Sequence, residues 1–358
     1  MLRIATIYHN GLGAHFETYN MEHLRFRKIA EELANLGFAV DFIVNHNDEV
    51  IPLDNNMRFV SYKSAQWEAY DIIKTTTHKG FEFLSKIGAD DHPFIISKLG
   101  SVVGSHDEIP GVYFFKKNRQ QLYETQKKIS QKSRYVTLLT QQSKELWRKE
   151  HRGDNSILLV PTGTDLKIPL PNKNPYSKFS EKIAVYIGNI YSKDVQKEVN
   201  LIWQNRLNTL GRKLKKRKIR LCLVGKGAAD EIDHHVVTHL GAVRYEDVFD
   251  YHYFADVGIV LAQGEIQHNE SSKIYYYLRT GLPMVSEKPV PNNNLIREAN
   301  LGFVVPYNDH HAMVERIEEA VYEKWDRAGA VDYILKNHTW TQRVQKYYRI
   351  IREELLTT

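Results

Sequence analysis

Glu270, Ser271, Ser272 and Lys273 stand together near the start of the run Asn269–Ser286, NESSKIYYYLRTGLPMVS. The oxygen-bearing side chains can cap a helix there, and Ile274, Tyr277 and Leu278 fall at the i, i+3, i+4 spacing of one apolar face. Gly281 and Pro283 close that helix, and Met284-Val285 opens a short apolar run of the kind that enters a parallel sheet. A helix N-terminus presents unpaired N–H groups and the positive end of a dipole. With hydroxyls and a lysine beside it, the chemistry it suits is phosphate binding. The plainer alternative is a capped helix with a solvated lysine.

Other residues of chemical interest lie after short apolar runs. Gly11 and Gly13 follow the strand-like Leu2–Tyr8, in a loop where backbone can approach a ligand; no third glycine completes a dinucleotide fingerprint. His78 falls in a polar loop after Tyr70–Lys74, and His106 sits beside Asp107 in a two-glycine loop after Pro93–Leu99. Both histidines are candidate bases, or idle loop residues. Gly188 and Asn189 follow Lys182–Ile187, and Gly225-Lys226-Gly227 follows Arg220–Val224.

These loops need a scaffold of alternating strands and helices, which reads as α/β with parallel sheets. The alternation stops in a proline-bearing polar stretch and resumes at Lys182. That divides the chain into residues 1–166, a linker at 167–181, a second domain at 182–340 and a last helix at 341–358. A length of 358 residues agrees with two cores, and 42% hydrophobic with 26% charged residues excludes a disordered or collagenous chain. The single cysteine, Cys222, lies in an apolar run and reads as core, so no disulfide framework is expected. No signal peptide or spanning stretch is evident, and the expected location is cytoplasmic. A formal charge of +6 calls for anionic company. The run Arg212–Arg220 holds seven basic residues in nine but precedes a strand, at the edge opposite α/β ligand sites. A solvated face is the first reading and an anionic membrane surface, approached peripherally from the inner face, the second. Nucleic acid is not expected, because no interleaved aromatics supply base stacking.

The order of the fragments adds a resemblance. Leu138–Ser143, Val160–Asp165, Tyr186–Asn189, Leu223–Gly227, Leu240–Val243 and Ser272-Lys273 through Gly281-Leu282-Pro283 resemble the successive landmarks of GT-B glycosyltransferases, closest to family 4. The resemblance implies two Rossmann-like β/α/β domains facing a cleft, the first on the acceptor side and the second binding the nucleotide sugar, with the last helix crossing back. It implies a retaining hexosyltransferase whose UDP- or GDP-sugar is a substrate and which requires no metal or cofactor. The acceptor, whether saccharide, lipid or small molecule, is left open. By the same resemblance, Gly11 and Gly13 face the donor diphosphate. Gly188, Asn189 and Lys193 form the segment that neutralises it, Asn189 standing where the family usually has arginine. Gly225 and Lys226 line the same edge, and Val243 and Arg244 approach the nucleotide base. Glu270, Ser271, Ser272 and Lys273 meet the diphosphate. Family 4 enzymes often carry two glutamates eight positions apart; here His268 and Tyr276 occupy those positions, with Glu265 and Glu270 off register.

A nucleoside diphosphate leaving group develops negative charge, which aimed N–H groups and lysines stabilise in a water-poor site. If the reaction inverts the sugar, His106 or His78 supplies the base. Two other readings share the fold: a nucleotide-sugar epimerase, which needs no acceptor, and a non-catalytic module that binds nucleotide without turnover.

Overall fold

The computed structural model describes residues 1–8, 21–45, 50–104, 119–151, 155–188, 193–227 and 229–356, with backbone alone for 21–22 and 193–200. The chain divides into two compact units. One gathers the described residues up to Gly163 together with Trp340 onward; the other is Thr164–Thr339.

In the first unit the described strands are β1 (Arg3–Ile7), β2 (Ala39–Val44), β3 (Ile51–Pro52), β4 (Met57–Ser61), β5 (Ile72–Thr76), β6 (Ile95–Lys98), β7 (Tyr135–Leu138) and β8 (Ser156–Leu159). They form one sheet in the order β3-β4-β2-β1-β5-β6-β7-β8, parallel except where β3 meets β4. Apolar residues on both faces explain why the sheet is buried on both sides. Ile4, Ile72 and Ile96 pack with Phe26, Ile29 and Leu33 of the helix Met21–Asn35 and with Trp340, Val344 and Tyr347 of the helix Trp340–Leu355. On the opposite face, Ala5, Ile7, Ile73 and Ile95 pack with Phe83 and Leu84 of the helix Thr77–Lys86.

The second unit holds β9 (Lys182–Ile187), β10 (Ile219–Val224), β11 (Val237–His239), β12 (Val257–Val260), β13 (Met284–Glu287) and β14 (Gly302–Val305). Their order is β11-β10-β9-β12-β13-β14, parallel throughout. One face is covered by Trp203, Leu207 and Leu210 of the helix Lys193–Lys215 and by Met313 and Ile317 of the helix His310–Tyr322. Cys222 is fully buried and its thiol is pushed up to about 12 by burial, the behaviour of a core side chain. Residues 167–181 lie on this unit: the Asn172 and Lys173 N–H groups donate to the Asp250 carboxylate at 2.8 and 3.0 Å, and Tyr176 is buried with its hydroxyl on the Tyr251 carbonyl.

The chain passes between units after Gly163 and again after Thr339. Within the first unit Gly163 lies against Trp340; within the second, Thr164 and Thr339 form a parallel bridge.

Some elements differ from their reading in sequence. His78 lies in a helix, not a loop, because β5 runs to Thr76 and Thr77, at a φ of +63°, turns the chain directly into the helix. Strands β3 and β11 and the short helix Asn294–Glu298 were not legible, since two to five residues are too few to show a period.

Gly258 of β12 makes room for the ring of Tyr277, and a Cβ there would stand 2.5 Å from the ring's Cε2. Gly258→Ala should therefore destabilise the protein by roughly 1–3 kcal/mol through overpacking. Urea denaturation measures it, and an unchanged midpoint would mean that Tyr277 can move aside.

Candidate functional site

All six strands of the second sheet end at one edge, and the order reverses direction between β9 and β12. Open α/β sheets bind ligands at such a switch point, outside the carboxyl ends of the strands. Gly188 ends β9, and the chain leaving β12 leads through Ala262–Ser271 into the helix Ser272–Arg279.

That helix is anchored by its apolar face. Ile274, Tyr277 and Leu278 are fully buried, and the Ile187 N–H donates to the Tyr277 hydroxyl at 3.3 Å. Its far end closes at Gly281, with φ of +66°, where the Leu282 N–H returns to the Tyr277 carbonyl at 2.8 Å. Ser271 is the N-cap residue, but its side chain makes no cap hydrogen bond, contrary to the capping expected of it. Asn292 holds its backbone instead: the Ser271 N–H donates to Asn292 Oδ1 at 2.8 Å, and Asn292 Nδ2 donates to the Ser271 carbonyl at 2.9 Å. The Glu270 carboxylate accepts the Tyr275 hydroxyl at 2.8 Å.

Lys273 projects from the first turn back over β9. Its Nζ lies 4.9 Å from the centre of the Tyr186 ring, and a Cβ on Gly188 would stand 3.1 Å from that Nζ. A larger residue there would press on the end of the lysine side chain and on the Tyr186 ring. Among the described residues this ammonium has neither an ion pair nor a hydrogen bond, and burial lowers its pKa to about 8. A desolvated cation without a carboxylate favours any anion that can reach it.

The loop before the helix is fixed by a buried ion pair that the sequence did not announce. Arg206 Nη2 lies 2.5 Å from Glu287 Oε1, Arg206 Nη1 donates to the Ala262 carbonyl at 2.9 Å, and the Glu287 carboxylate also accepts the N–H groups of Ala262 and Asn308. The available signal was Arg206 itself, which falls on the apolar stripe of Trp203, Leu207 and Leu210.

The other sequence-predicted residues distribute as follows. Gly225 and Lys226 follow β10, Lys226 being exposed; the Gly188 N–H donates to the Val224 carbonyl, which brings these two strand ends together. Val243 and Arg244 follow β11, and the exposed Arg244 forms a bidentate pair with Asp247 at 2.8 and 3.1 Å. Tyr276 is turned into the unit, its hydroxyl 3.3 Å from that of Tyr245, whose proton is donated to Asp165. Ser272 is half-buried in the first turn. His78, in the first unit, is half-buried at the start of its helix. Gly11, Gly13, His106 and Asn189 lie outside the described residues, as does the side chain of Lys193. Of the basic run, Arg212, Arg217 and Arg220 pair with Asp233, Glu318 and Glu181 of their own unit. Among the described residues no three His, Cys, Asp or Glu gather around a common point, and no helix is long and apolar enough to cross a membrane.

Residues 185–346 match the family model described as glucosyltransferase 3-like, C-terminal domain. Over its full length the chain superposes on a sucrose-phosphate synthase from Thermosynechococcus elongatus, with a TM-score of 0.75 and 16% identity, covering 100% of both chains. A trehalose-6-phosphate protein from E. coli bound with UDP-2-fluoro glucose gives 0.65 and 10%, covering 99% of each. Anabaena HepE in complex with UDP gives 0.69 and 12%, covering 99% of this chain and 100% of that one. The protein has the GT-B glycosyltransferase fold. Its second unit is Gtf3-like, and the matched region contains the switch point of the second sheet with Gly188, Lys273 and the Arg206–Glu287 pair. No curated protein matches the sequence.

The lowered pKa of Lys273 has a signed consequence. Between about 8 and its ordinary 10.5, the unfolded chain holds a proton that the folded chain has released, so stability from this group rises with pH across that window. Below it, folding buries a charge. Lys273→Met should accordingly gain most over the parent at neutral pH, the gain shrinking as pH rises toward 10.5. Urea denaturation across that range measures it; a gain independent of pH would show that the ammonium is solvated.

Proposed function

We propose that the protein transfers a sugar from a nucleotide-sugar donor, with the donor's diphosphate on the first turn of the helix Ser272–Arg279. The observation that carries this reading is the ammonium of Lys273, held without a carboxylate over Gly188 at the switch point of the sheet. A Gtf3-like domain over these residues supports it, and so do structures of the same fold bound with UDP-2-fluoro glucose or UDP. UDP-glucose is therefore the first donor to test.

In this reading the backbone N–H groups of Ser272 and Lys273 meet the phosphate oxygens and the ammonium neutralises the charge that develops as the sugar–oxygen bond breaks. Gly188, Gly225 and Lys226 border the diphosphate, and Val243 and Arg244 the base. The strand ends, Asn292 and the Arg206–Glu287 pair fix these groups beforehand, so little reorganisation accompanies the reaction. Such stabilisation by fixed dipoles and lysine requires neither a metal nor a covalent nucleophile. Transfer with retention of configuration needs no base, and His78 then has no proton to take.

Lys273→Ala should weaken UDP binding by about tenfold or more, the loss of one charge-assisted contact, without lowering the melting temperature. Ser272→Ala should cost less. Calorimetric titration of UDP, paired with UDP release from UDP-glucose with and without candidate acceptors, tests the reading. Release that depends on an acceptor supports transfer; interconversion of the sugar without an acceptor identifies an epimerase, and binding without turnover a binding module. UDP affinity equal to the parent's in Lys273→Ala would place the diphosphate elsewhere.

A further inference from the structure

The first sheet has a switch point of its own. Its order turns between β1 and β5, and Lys74 and Thr6 sit opposite each other there, paired in register. Lys74 is 2% exposed, a lysine in the middle of a central strand. Among the described residues it has no carboxylate partner. Its Nζ reaches Thr76 Oγ1, at 3.3 Å, and the face of Tyr347, 5.6 Å from the ring centre. Burial, with the nearby charge of Arg25, lowers its pKa to about 7.

Thr76 is also the N-cap residue of the ten-residue helix Thr77–Lys86, and its side chain makes no cap hydrogen bond. The buried ammonium thus lies beside a helix N-terminus whose cap residue makes no side-chain cap. Thr77, the first helical residue, is β-branched at a φ of +63°, a conformation retained only where the surroundings enforce it. Its Oγ1 and that of Thr6 are buried without hydrogen-bond partners among the described residues. The helix start is pressed onto the end of β1, where a Cβ on Gly80 would stand 2.8 Å from the carbonyl oxygens of Ile7 and Tyr8. Lys98, also buried, pairs in register with Thr76. Positive charge, a helix N-terminus and two hydroxyls without partners among the described residues therefore lie at one strand end.

We propose that this strand end is a second anion site, which takes a phosphate or carboxylate group carried by the acceptor. Lys74 supplies the charge, the first N–H groups of the helix Thr77–Lys86 and the Thr77 hydroxyl supply donors, and the acceptor belongs to the class of acidic sugars or sugar phosphates. The assignment to the acceptor rests on the glycosyl-transfer reading; the anion site itself does not.

The test uses the full chain saturated with UDP, so that the nucleotide site is filled, and titrates inorganic phosphate and acetate calorimetrically. The parent should bind at least one of the two anions, and Lys74→Met, which keeps the side chain's bulk without its charge, should lower that affinity by about tenfold or more while UDP affinity stays unchanged. Thr6→Val, nearly isosteric, should lower it by less. Thermal unfolding confirms that each variant is folded. Preference between phosphate and acetate distinguishes the two acceptor chemistries, and turnover with phosphorylated, carboxylated and neutral sugars should follow it. Failure of the parent to bind either anion, or equal binding by Lys74→Met, overturns the site. Loss of UDP binding in Lys273→Ala reports on the other reading and leaves this one standing.

Discussion

A half-buried, partly desolvated ammonium without a carboxylate partner among the described residues is the constraint around which the second unit is arranged. The cost of desolvating Lys273 appears in its lowered pKa and is offset in part by the face of Tyr186. Every neighbouring feature keeps that cation where it is. Gly188 offers no Cβ to displace it, Tyr277 ties the helix to β9 through the Ile187 N–H, and Asn292 holds the backbone at Ser271. The Arg206–Glu287 pair is buried at the same edge and fixes Ala262, where the loop into the helix begins. Buried pairs of this kind add little net stability, but losing one partner leaves the other charge stranded. Its clearest effect here is geometric.

The same topology produces a cation in each unit. In a parallel sheet whose order reverses, the strand ends on either side of the reversal diverge and leave space outside the carboxyl edge. Lys273 reaches that space from a helix start; Lys74 reaches its counterpart from within a strand. Both lysines are desolvated, and both stand beside a helix N-terminus whose cap residue makes no side-chain cap. A donor and an acidic acceptor would thus be recognised by the same physics on two scaffolds.

Much of this was legible in the sequence, and the missing part has a physical reason. The α/β class followed from apolar runs alternating with periodic helices, and the ordered landmarks from Leu138 to Pro283 led to the GT-B fold that the structural comparisons show. Residue types at the helix start after Asn269 were readable as anion-binding chemistry. Their partners were not: Gly188 and Tyr186 come from a strand some eighty residues earlier, and Asn292 from a turn that follows the next strand. Capping by Ser271 failed as an expectation: its side chain makes no cap hydrogen bond, and the distant Asn292 side chain holds its backbone N–H and carbonyl. Lys74 drew no notice, since a lysine in a strand reads as solvent-facing until the covering helices Met21–Asn35 and Trp340–Leu355 are in place.

If Lys273 serves a sugar donor, the anion at the switch point of the second sheet is a nucleoside diphosphate. A crystal structure of the protein with UDP tests it most directly. Diphosphate density is expected at hydrogen-bond distance from Lys273 Nζ and the Ser272 and Lys273 N–H groups, above Gly188. Diphosphate bound at another edge of the sheet, with Lys273 still resting on Tyr186 and touching no phosphate oxygen, would contradict it.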